Sequence, residues 1–128
     1  MIIEDKRTVS DWMSTKIISV DAGDRITKAH QLFDTNSIHH LIVLEKGKLV
    51  GILSKEDLLK AYGEGGLNHT MVSDIMTPNP MTIEQDDNLG LAADIILANR
   101  FHALPVVDGV DLVGIITSHD LIRCFYDI

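Results

Sequence analysis

The chain repeats itself once, in register and without a gap, and this repeat limits the folds open to it more than any other feature. The segment V-S-D-W-M-S, which begins at Val9, returns as V-S-D-I-M-T at Val72. The segment L-V-G-I-L-S-K-E-D-L, which begins at Leu49, returns at the same offset as L-V-G-I-I-T-S-H-D-L at Leu112. The two halves are therefore predicted to be copies of one supersecondary unit.

The first part of each copy is predicted to be a strand followed by a helix. Residues 17–20 and 81–83 are short β-type runs. Apolar residues at helical spacing follow each run; they are Ile26, Ala29, Leu32 and Phe33 in the first copy and Leu89, Ala92, Ile95 and Ile96 in the second. Asp24 and Asp87 are predicted as the N-caps of these helices, and Asn36 and Asn99 suit the helix ends.

The second part of each copy is predicted to be two strands and a closing helix. Residues 40–44 and 48–53 are β-rich and flank a turn at Glu45-Lys46-Gly47, and the second copy has a corresponding turn at Asp108-Gly109-Val110. The closing helices begin at Ser54 or Thr117 and carry apolar residues along one side. Each copy thus reads strand, helix, strand, strand, helix.

One copy of about 60 residues could bury only a marginal core, so the two are expected to share one. The fold class predicted is α+β, with tandem repeats packed by a pseudo-twofold into a single module over residues 1–128. The first repeat covers about 9–62, a glycine-rich linker about 63–69, and the second repeat about 70–126.

The composition disfavours several classes of function. The net charge of −8 argues against nucleic-acid and anionic-membrane targets, which need clustered Lys and Arg. Cys124 is the only cysteine, so an internal disulfide and a thiolate metal cluster are ruled out. No apolar run reaches the length of a membrane helix, and the start turns charged at once. A cytoplasmic protein is expected.

The chain resembles the cystathionine β-synthase (CBS) domain family, in the tandem arrangement called a Bateman module. The features that carry the resemblance are V-S-D-h-M at the start of each copy, F-H-A-L-P-V-V-D at 101–108, and L-V-G-I-h-[ST]-x-x-D-L in both copies. The resemblance implies two clefts between the repeats that bind AMP, ADP, ATP or other adenosine derivatives such as S-adenosylmethionine. It also implies a homodimer. Because no further domain is attached within the sequence, a stand-alone module acting on an unknown separate protein is expected.

The resemblance also implies which residues would hold the ligand. The ribose hydroxyls should meet Asp57 and Asp120, and the hydroxyls of Ser54 and Thr117 are placed to meet phosphate. One predicted cleft contains Asp120, Thr117, His119, Lys16, Ile17, Ile18, Asp21, Ile38, His39 and His40. The other contains Asp57, Ser54, Lys55, Asn79, Pro80, Met81, Phe101, His102 and Ala103. His39 and His102 stand where some relatives use a histidine to contact phosphate.

Each of these residue patterns also has a purely structural explanation. Ser54 with Asp57, and Thr117 with Asp120, fit helix-capping pairs. Ile17, Ile18 and Phe101 would be core residues in any globular fold. His39 and His102 could be structural histidines. A metal site is not predicted, because His39 and His40 would point to opposite faces of a strand and no carboxylate or cysteine set has ligand spacing.

The two clefts are predicted to be unequal. The first-copy segment S-K-E-D brings Glu56 close to where a phosphate would lie, whereas the second-copy segment T-S-H-D offers neutral or cationic groups. Because like charges repel in a partly buried site, the Asp120 cleft is expected to bind a phosphorylated ligand more tightly.

Catalysis is not expected, because no nucleophile with a base, metal set or carboxylate pair stands out, and no resident cofactor is required. The rival interpretation is a ligand-independent dimerisation or interaction module. Its surfaces would be formed by Trp12, Met13, Ile75 and Met76, or by Leu121, Cys124, Phe125 and Tyr126.

Overall fold

The computed structural model describes residues 6–65, 69–99 and 101–126, so residues 66–68 of the predicted linker lie outside the described part. The first copy contains α1 (Val9–Trp12), β1 (Ser19–Asp21), α2 (Ile26–Thr35), β2 (His40–Glu45), β3 (Lys48–Ser54) and α3 (Lys55–Gly63). The second contains α4 (Val72–Ile75), β4 (Thr77–Pro78), β5 (Ile83–Glu84), α5 (Leu89–Asn99), β6 (Ala103–Asp108), β7 (Asp111–Thr117) and α6 (Ser118–Tyr126). The predicted order and the α+β class are confirmed, with a short helix opening each copy.

The chain forms two compact units whose limits differ from those of the sequence repeats. The first unit is Ile18–Pro80. The second unit joins the segment that ends at Ile17 to the segment that begins at Met81. The opening segment of each repeat, with its short helix, therefore belongs to the unit that holds the body of the other repeat.

The first unit is built on a sheet of strand order β1-β2-β3-β4. β1 pairs with β2 in parallel, and β2–β3 and β3–β4 are antiparallel. The apolar face of α2 predicted from the sequence is buried, with Ile26, Ala29 and Phe33 in the core. Leu41 and Leu53 of the hairpin and Leu58 of α3 complete the same core.

The second unit repeats this plan with a sheet of order β5-β6-β7. β5–β6 is parallel and β6–β7 is antiparallel. A backbone bridge between Ser14 and Ile115 corresponds to the pairing of β4 with β3 in the first unit. The core contains Leu89, Ala92 and Ile96 of α5 together with Val9 of α1, which is fully buried.

Matched backbone hydrogen bonds hold the opening segments in these units. In the first unit, Val72 N–H donates to Asp24 O at 2.8 Å, and in the second Val9 N–H donates to Asp87 O at 2.9 Å. The side chains of Val9 and Val72 are fully buried, which explains why an apolar residue begins each V-S-D-h-M segment.

The methionine and glycine of the repeated motifs also contact each other. A Cβ at Gly51 would lie 2.5 Å from Met76 Sδ, and one at Gly114 would lie 2.7 Å from Met13 Sδ. Since real Cβ atoms essentially never approach other atoms so closely, a side chain at either glycine would force the methionine to move. The V-S-D-h-M and L-V-G-I motifs are thus two halves of one packing contact.

The prediction that Asp24 and Asp87 cap the helices is wrong. The N-cap of α2 is Arg25, without a side-chain cap hydrogen bond, and α5 begins at Leu89, two residues beyond Asp87. Each aspartate instead accepts from the backbone N–H three residues earlier, Asp24 from Asp21 and Asp87 from Glu84, at 3.0 Å. Asp24 thus closes the turn after β1, and Asp87 closes the turn after β5.

The asparagines do lie at the helix ends as predicted. Asn36 Nδ2 donates to Leu32 O and Asn99 Nδ2 donates to Ile95 O, both at 2.9 Å. These bonds satisfy carbonyl groups that the last helical turn leaves without an N–H partner. β1 begins at Ser19 and β5 at Ile83, so both strands start two residues later than the sequence predicts.

Candidate functional site

The junction between β7 and α6 places Thr117 and Asp120 in a closed hydrogen-bonded box. Thr117 N–H donates to Asp120 Oδ2 at 2.9 Å, and the Thr117 hydroxyl donates to the same oxygen at 3.0 Å. The Asp120 N–H donates back to Thr117 Oγ1 at 3.2 Å. Asp120 is 8% exposed and is the only charged residue that is buried in the described part of the chain.

The junction between β3 and α3 has the same box, formed by Ser54 and Asp57. Ser54 N–H donates to Asp57 Oδ2 at 2.9 Å, and Asp57 N–H donates to Ser54 Oγ at 3.0 Å. The capping role weighed for these pairs in the sequence is therefore present in both copies. It uses one carboxylate oxygen, Oδ2, and leaves Oδ1 of each aspartate outside the box, so capping does not compete with a further acceptor role.

The start of the second strand lies beside each box. His40 is the register partner of Ser54, and Lys55 N–H donates to His39 O at 2.9 Å. In the second unit, Ala103 is the partner of Thr117, and Ser118 N–H donates to His102 O at 2.9 Å. The exposed histidines His39 and His102 thus stand at equivalent places, next to the capped aspartates of their own units.

An open depression of about 400 Å³ lies at this corner of the first unit. It is bounded by the end of α2, the loop before β2 and the first residue of α3; the lining residues are Phe33, Asp34, Thr35, Asn36, Ser37, Ile38, His39 and Lys55. His39 and Lys55 line it together, although the sequence analysis places them in different clefts.

The other residues predicted for the Asp120 cleft are divided between the units. Lys16 is exposed and Ile17 half-buried in the second unit, together with the exposed His119. Ile18 is half-buried in the first unit, where it packs against the core. Asp21 is exposed and its Oδ1 accepts from Gly23 N–H at 2.9 Å, so it also orders the turn after β1.

The residues predicted for the Asp57 cleft are divided in the same way. Asn79 is exposed, with a φ of 48°, and Pro80 is half-buried, both in the first unit. Met81 is exposed, Phe101 packs against the core and Ala103 is buried in the second unit. Because each predicted cleft draws on both units, the grouping of these residues stays a prediction.

Arg123 contacts both Asp120 and Trp12, and neither contact was predicted from the sequence. Arg123 Nη2 lies 3.7 Å from Asp120 Oδ1, the oxygen outside the capping box. The same guanidinium lies over the Trp12 ring, with Cζ 5.8 Å from the ring centroid. The Asp-x-x-Arg spacing on a helix could have indicated the ion pair. Trp12 lies too far away in the sequence to be found by spacing.

Neither a metal-binding cluster nor a membrane-spanning helix is found among the described residues. No group of three or more His, Cys, Asp or Glu side chains in this part of the chain is placed to hold a metal ion. Within the same ranges, no helix is both long and apolar enough to cross a membrane.

The chain is similar in sequence to several curated proteins. CBS domain-containing protein YhcV of Bacillus subtilis (strain 168) is 29% identical, over 89% of this chain and 82% of that protein. Uncharacterized protein MJ1225 of Methanocaldococcus jannaschii is 28% identical over 96% of this chain. L-aspartate semialdehyde sulfurtransferase of the same organism is 34% identical over 91% of this chain. The chain spans only 49% and 23% of the lengths of these last two proteins.

Solved structures share the fold along almost the whole chain. The CBS domain pair of protein MJ0100, in complex with 5′-methylthioadenosine and S-adenosyl-L-methionine, is 31% identical with a TM-score of 0.86. The match covers 94% of this chain and 97% of that one. CBSX2 in complex with AMP is 30% identical with a TM-score of 0.81, over 94% of this chain and 96% of that one.

The family profile described as CBS domain matches residues 9–64 and 72–127, one match for each copy of the repeat. The chain therefore belongs to the CBS domain family and carries a tandem pair of CBS domains.

Proposed function

We propose that the chain is a regulatory module that binds an adenosine-derived ligand and acts on a separate protein. The observation that supports this most directly is the likeness, at 30% identity or more, to CBS domain pairs holding AMP or S-adenosyl-L-methionine with 5′-methylthioadenosine. AMP, ADP, ATP and S-adenosylmethionine are the candidate ligands. The partner protein and a cytoplasmic location belong to the same proposal.

The ribose would bind at Asp57 and Asp120. Each aspartate is held by its capping box at Oδ2 and keeps Oδ1 outside the box. A carboxylate oxygen accepts strong hydrogen bonds from sugar hydroxyls, and a side chain that is already held in place loses little conformational entropy on binding. Ser54 Oγ accepts a hydrogen bond from Asp57 N–H and donates none within the box, so the hydroxyl is suited to donate to a phosphate oxygen. The Thr117 hydroxyl already donates to Asp120.

The remaining predicted residues would complete the sites. Lys55 and His39 line one depression, where two basic side chains could meet a phosphate. The half-buried Ile17, Ile18, Ile38 and Phe101 offer apolar surface for an adenine ring. For the other predicted residues, a place in the sites is proposed from the family resemblance alone; they are Lys16, Asp21, His40, Asn79, Pro80, Met81, His102, Ala103 and His119.

The decisive test is ligand binding to purified protein stripped of bound nucleotide. Calorimetric titration with AMP, adenosine, ADP, ATP and S-adenosylmethionine would identify the ligand class. Asp57→Ala and Asp120→Ala should each remove one site or weaken it by at least about tenfold, because a hydrogen bond to a charged group contributes about 1.5–3 kcal/mol.

The chain offers matched controls for the loss of a helix cap. Asp11 Oδ2 accepts from Thr8 N–H at 3.0 Å in the second unit, and Asp74 Oδ2 accepts from Met71 N–H at 2.9 Å in the first. Asp11→Ala and Asp74→Ala remove capping carboxylates of the same kind at positions outside the proposed sites. They should leave affinity unchanged; affinity that falls as far in these controls would contradict the ribose role.

A second function, dimerisation or partner docking, is supported by exposed apolar side chains on α5 and α6. Leu97 is 78% exposed and Ile122 59%, and Leu91 and Tyr126 are also exposed. The first-copy residues at the positions of Leu91 and Leu97 are Lys28 and Asp34. A protein that binds none of the nucleotides but dimerises, and loses dimers on Leu97→Asp, would favour this function. Of the residues predicted for such a surface near the end of the sequence, Tyr126 is exposed and Cys124 is buried, whereas the Phe125 side chain lies outside the described part.

A further inference from the structure

Asp120 and Asp57 occupy equivalent places but have different electrostatic surroundings. Arg123 lies 3.7 Å from Asp120 Oδ1, and the Asp120 side chain is only 12% exposed. The equivalent residue in the first copy is Lys60. Within the described part of the chain, Lys60 does not form an ion pair with Asp57. The first turn of α3 also carries Glu56 beside Asp57, whereas α6 has Asp120 alone.

Arg123 is held in place by Trp12 as well as by its charge. The guanidinium lies 5.8 Å from the centroid of the Trp12 ring, within the range of a cation–π contact. The equivalent of Trp12 in the repeat is Ile75, which lies in the first unit and cannot make this contact. Among the described residues, the second unit alone therefore combines an aromatic ring, a guanidinium and a carboxylate at this place.

A positive charge at this position matters for the 5′ substituent of a bound nucleoside. If Asp120 accepts the ribose hydroxyls, a 5′-phosphate on the same ribose stays within about one Debye length, roughly 8 Å, of the carboxylate. The two negative charges then repel each other in a partly buried site. Arg123 offsets that repulsion, while its distance of 3.7 Å is too long for a hydrogen bond and leaves Oδ1 able to accept from the sugar.

We propose that Arg123 is a specificity-determining residue of the Asp120 site, favouring adenosine ligands with a 5′-phosphate over uncharged ones. The Asp57 site, with Lys60 unpaired to its aspartate and Glu56 nearby, lacks this preference. This inference rests on the proposed binding of adenosine ligands. It assigns to Arg123 an effect on the choice of ligand rather than a direct contact with the ligand.

The test compares AMP with adenosine, which differ only in the phosphate. In an Asp57→Ala protein, where Asp120 provides the intact site, calorimetry gives the ratio of the two affinities. Arg123→Gln should weaken AMP binding by roughly threefold to fivefold and leave adenosine binding unchanged, an effect on the scale of one partly exposed ion pair. Arg123→Lys keeps the charge and should largely preserve the ratio. The matched change Lys60→Gln, measured in an Asp120→Ala protein, should not alter the ratio of the AMP and adenosine affinities.

A second measurement needs no variant at Arg123. In the Asp57→Ala protein, raising the salt concentration from about 50 to about 500 mM should reduce the preference for AMP, because screening weakens the charge pair and the phosphate interaction. A ratio that Arg123→Gln leaves unchanged, or equal losses for both ligands, would overturn the assignment of Arg123 alone. Failure of Asp57→Ala and of the unmodified protein to bind either ligand would instead overturn the proposed function, and this inference with it.

Discussion

At the scale of single residues, the repeated glycine at position 114 leaves little room for a side chain. A Cβ at Gly114 would lie 2.8 Å from Ser14 O as well as 2.7 Å from Met13 Sδ. The methionine could move, but the carbonyl oxygen is part of the backbone bridge between Ser14 and Ile115. The glycine is therefore required by a backbone contact and not only by a flexible side chain.

Gly114→Ala is expected to lower the free energy of unfolding by about 1–3 kcal/mol, the usual cost of overpacking. The matched change is Gly63→Ala at the end of α3, where a Cβ would meet nothing within 4 Å. That change should leave stability unaltered or raise it by about 0.5 kcal/mol, because alanine reduces the freedom of the unfolded chain. Chemical denaturation measures both. Equal stability in the two variants would contradict the contact.

At the scale of elements, the sequence predicted the order and type of the main helices and strands because the repeat tests each pattern twice. It failed where one residue type suits two different local structures. Asp24 has the residue type of a cap, but its carboxylate meets Asp21 N–H in a turn. Distinguishing a turn from a cap requires the backbone path, which the residue type does not contain.

The capping boxes of α3 and α6 give a prediction at this scale. Ser54→Ala removes the acceptor for Asp57 N–H, an interaction of 3.0 Å, and should cost about 1 kcal/mol in the ligand-free protein. Ser54→Thr keeps the hydroxyl and should retain most of that stability. The exposed Ser73 in α4 is a control of the same residue type, and Ser73→Ala should change the melting temperature little. A Ser54→Ala protein as stable as the Ser73→Ala protein would show that the box contributes nothing.

In the candidate site, the contacts between neighbouring residues could be predicted from the sequence, but a contact between distant residues could not. Both capped aspartates and the neighbouring strand starts could be named from the repeated motifs, since each box is formed within four consecutive residues. The contact of Arg123 with Trp12 joins α6 to α1, which are at opposite ends of the sequence. No pattern in one segment specifies it.

At the scale of the whole molecule, the opening segment of each repeat belongs to the unit that holds the body of the other repeat. The repeats in the sequence are therefore not the units of packing. Val9 is fully buried among residues of the second unit, such as Leu104 and Ile116. Val72 is equally buried in the core of the first, with Leu41 and Leu53. Loss of contacts at Val9 should therefore weaken a part of the chain that is distant in sequence.

Amide hydrogen exchange can test this coupling with a matched pair of substitutions. Val9→Ala should open the second unit more easily, by about 2 kcal/mol, which corresponds to roughly thirtyfold faster exchange where that opening controls the rate. The amides affected should be those of β6 and β7, whereas Val72→Ala should affect β2 and β3. Each variant is the control for the other, since both remove the same groups from a fully buried valine. If Val9→Ala instead accelerated exchange chiefly in β2 and β3, which belong to the same sequence repeat as Val9, the region that opens would be the sequence repeat and not the compact unit.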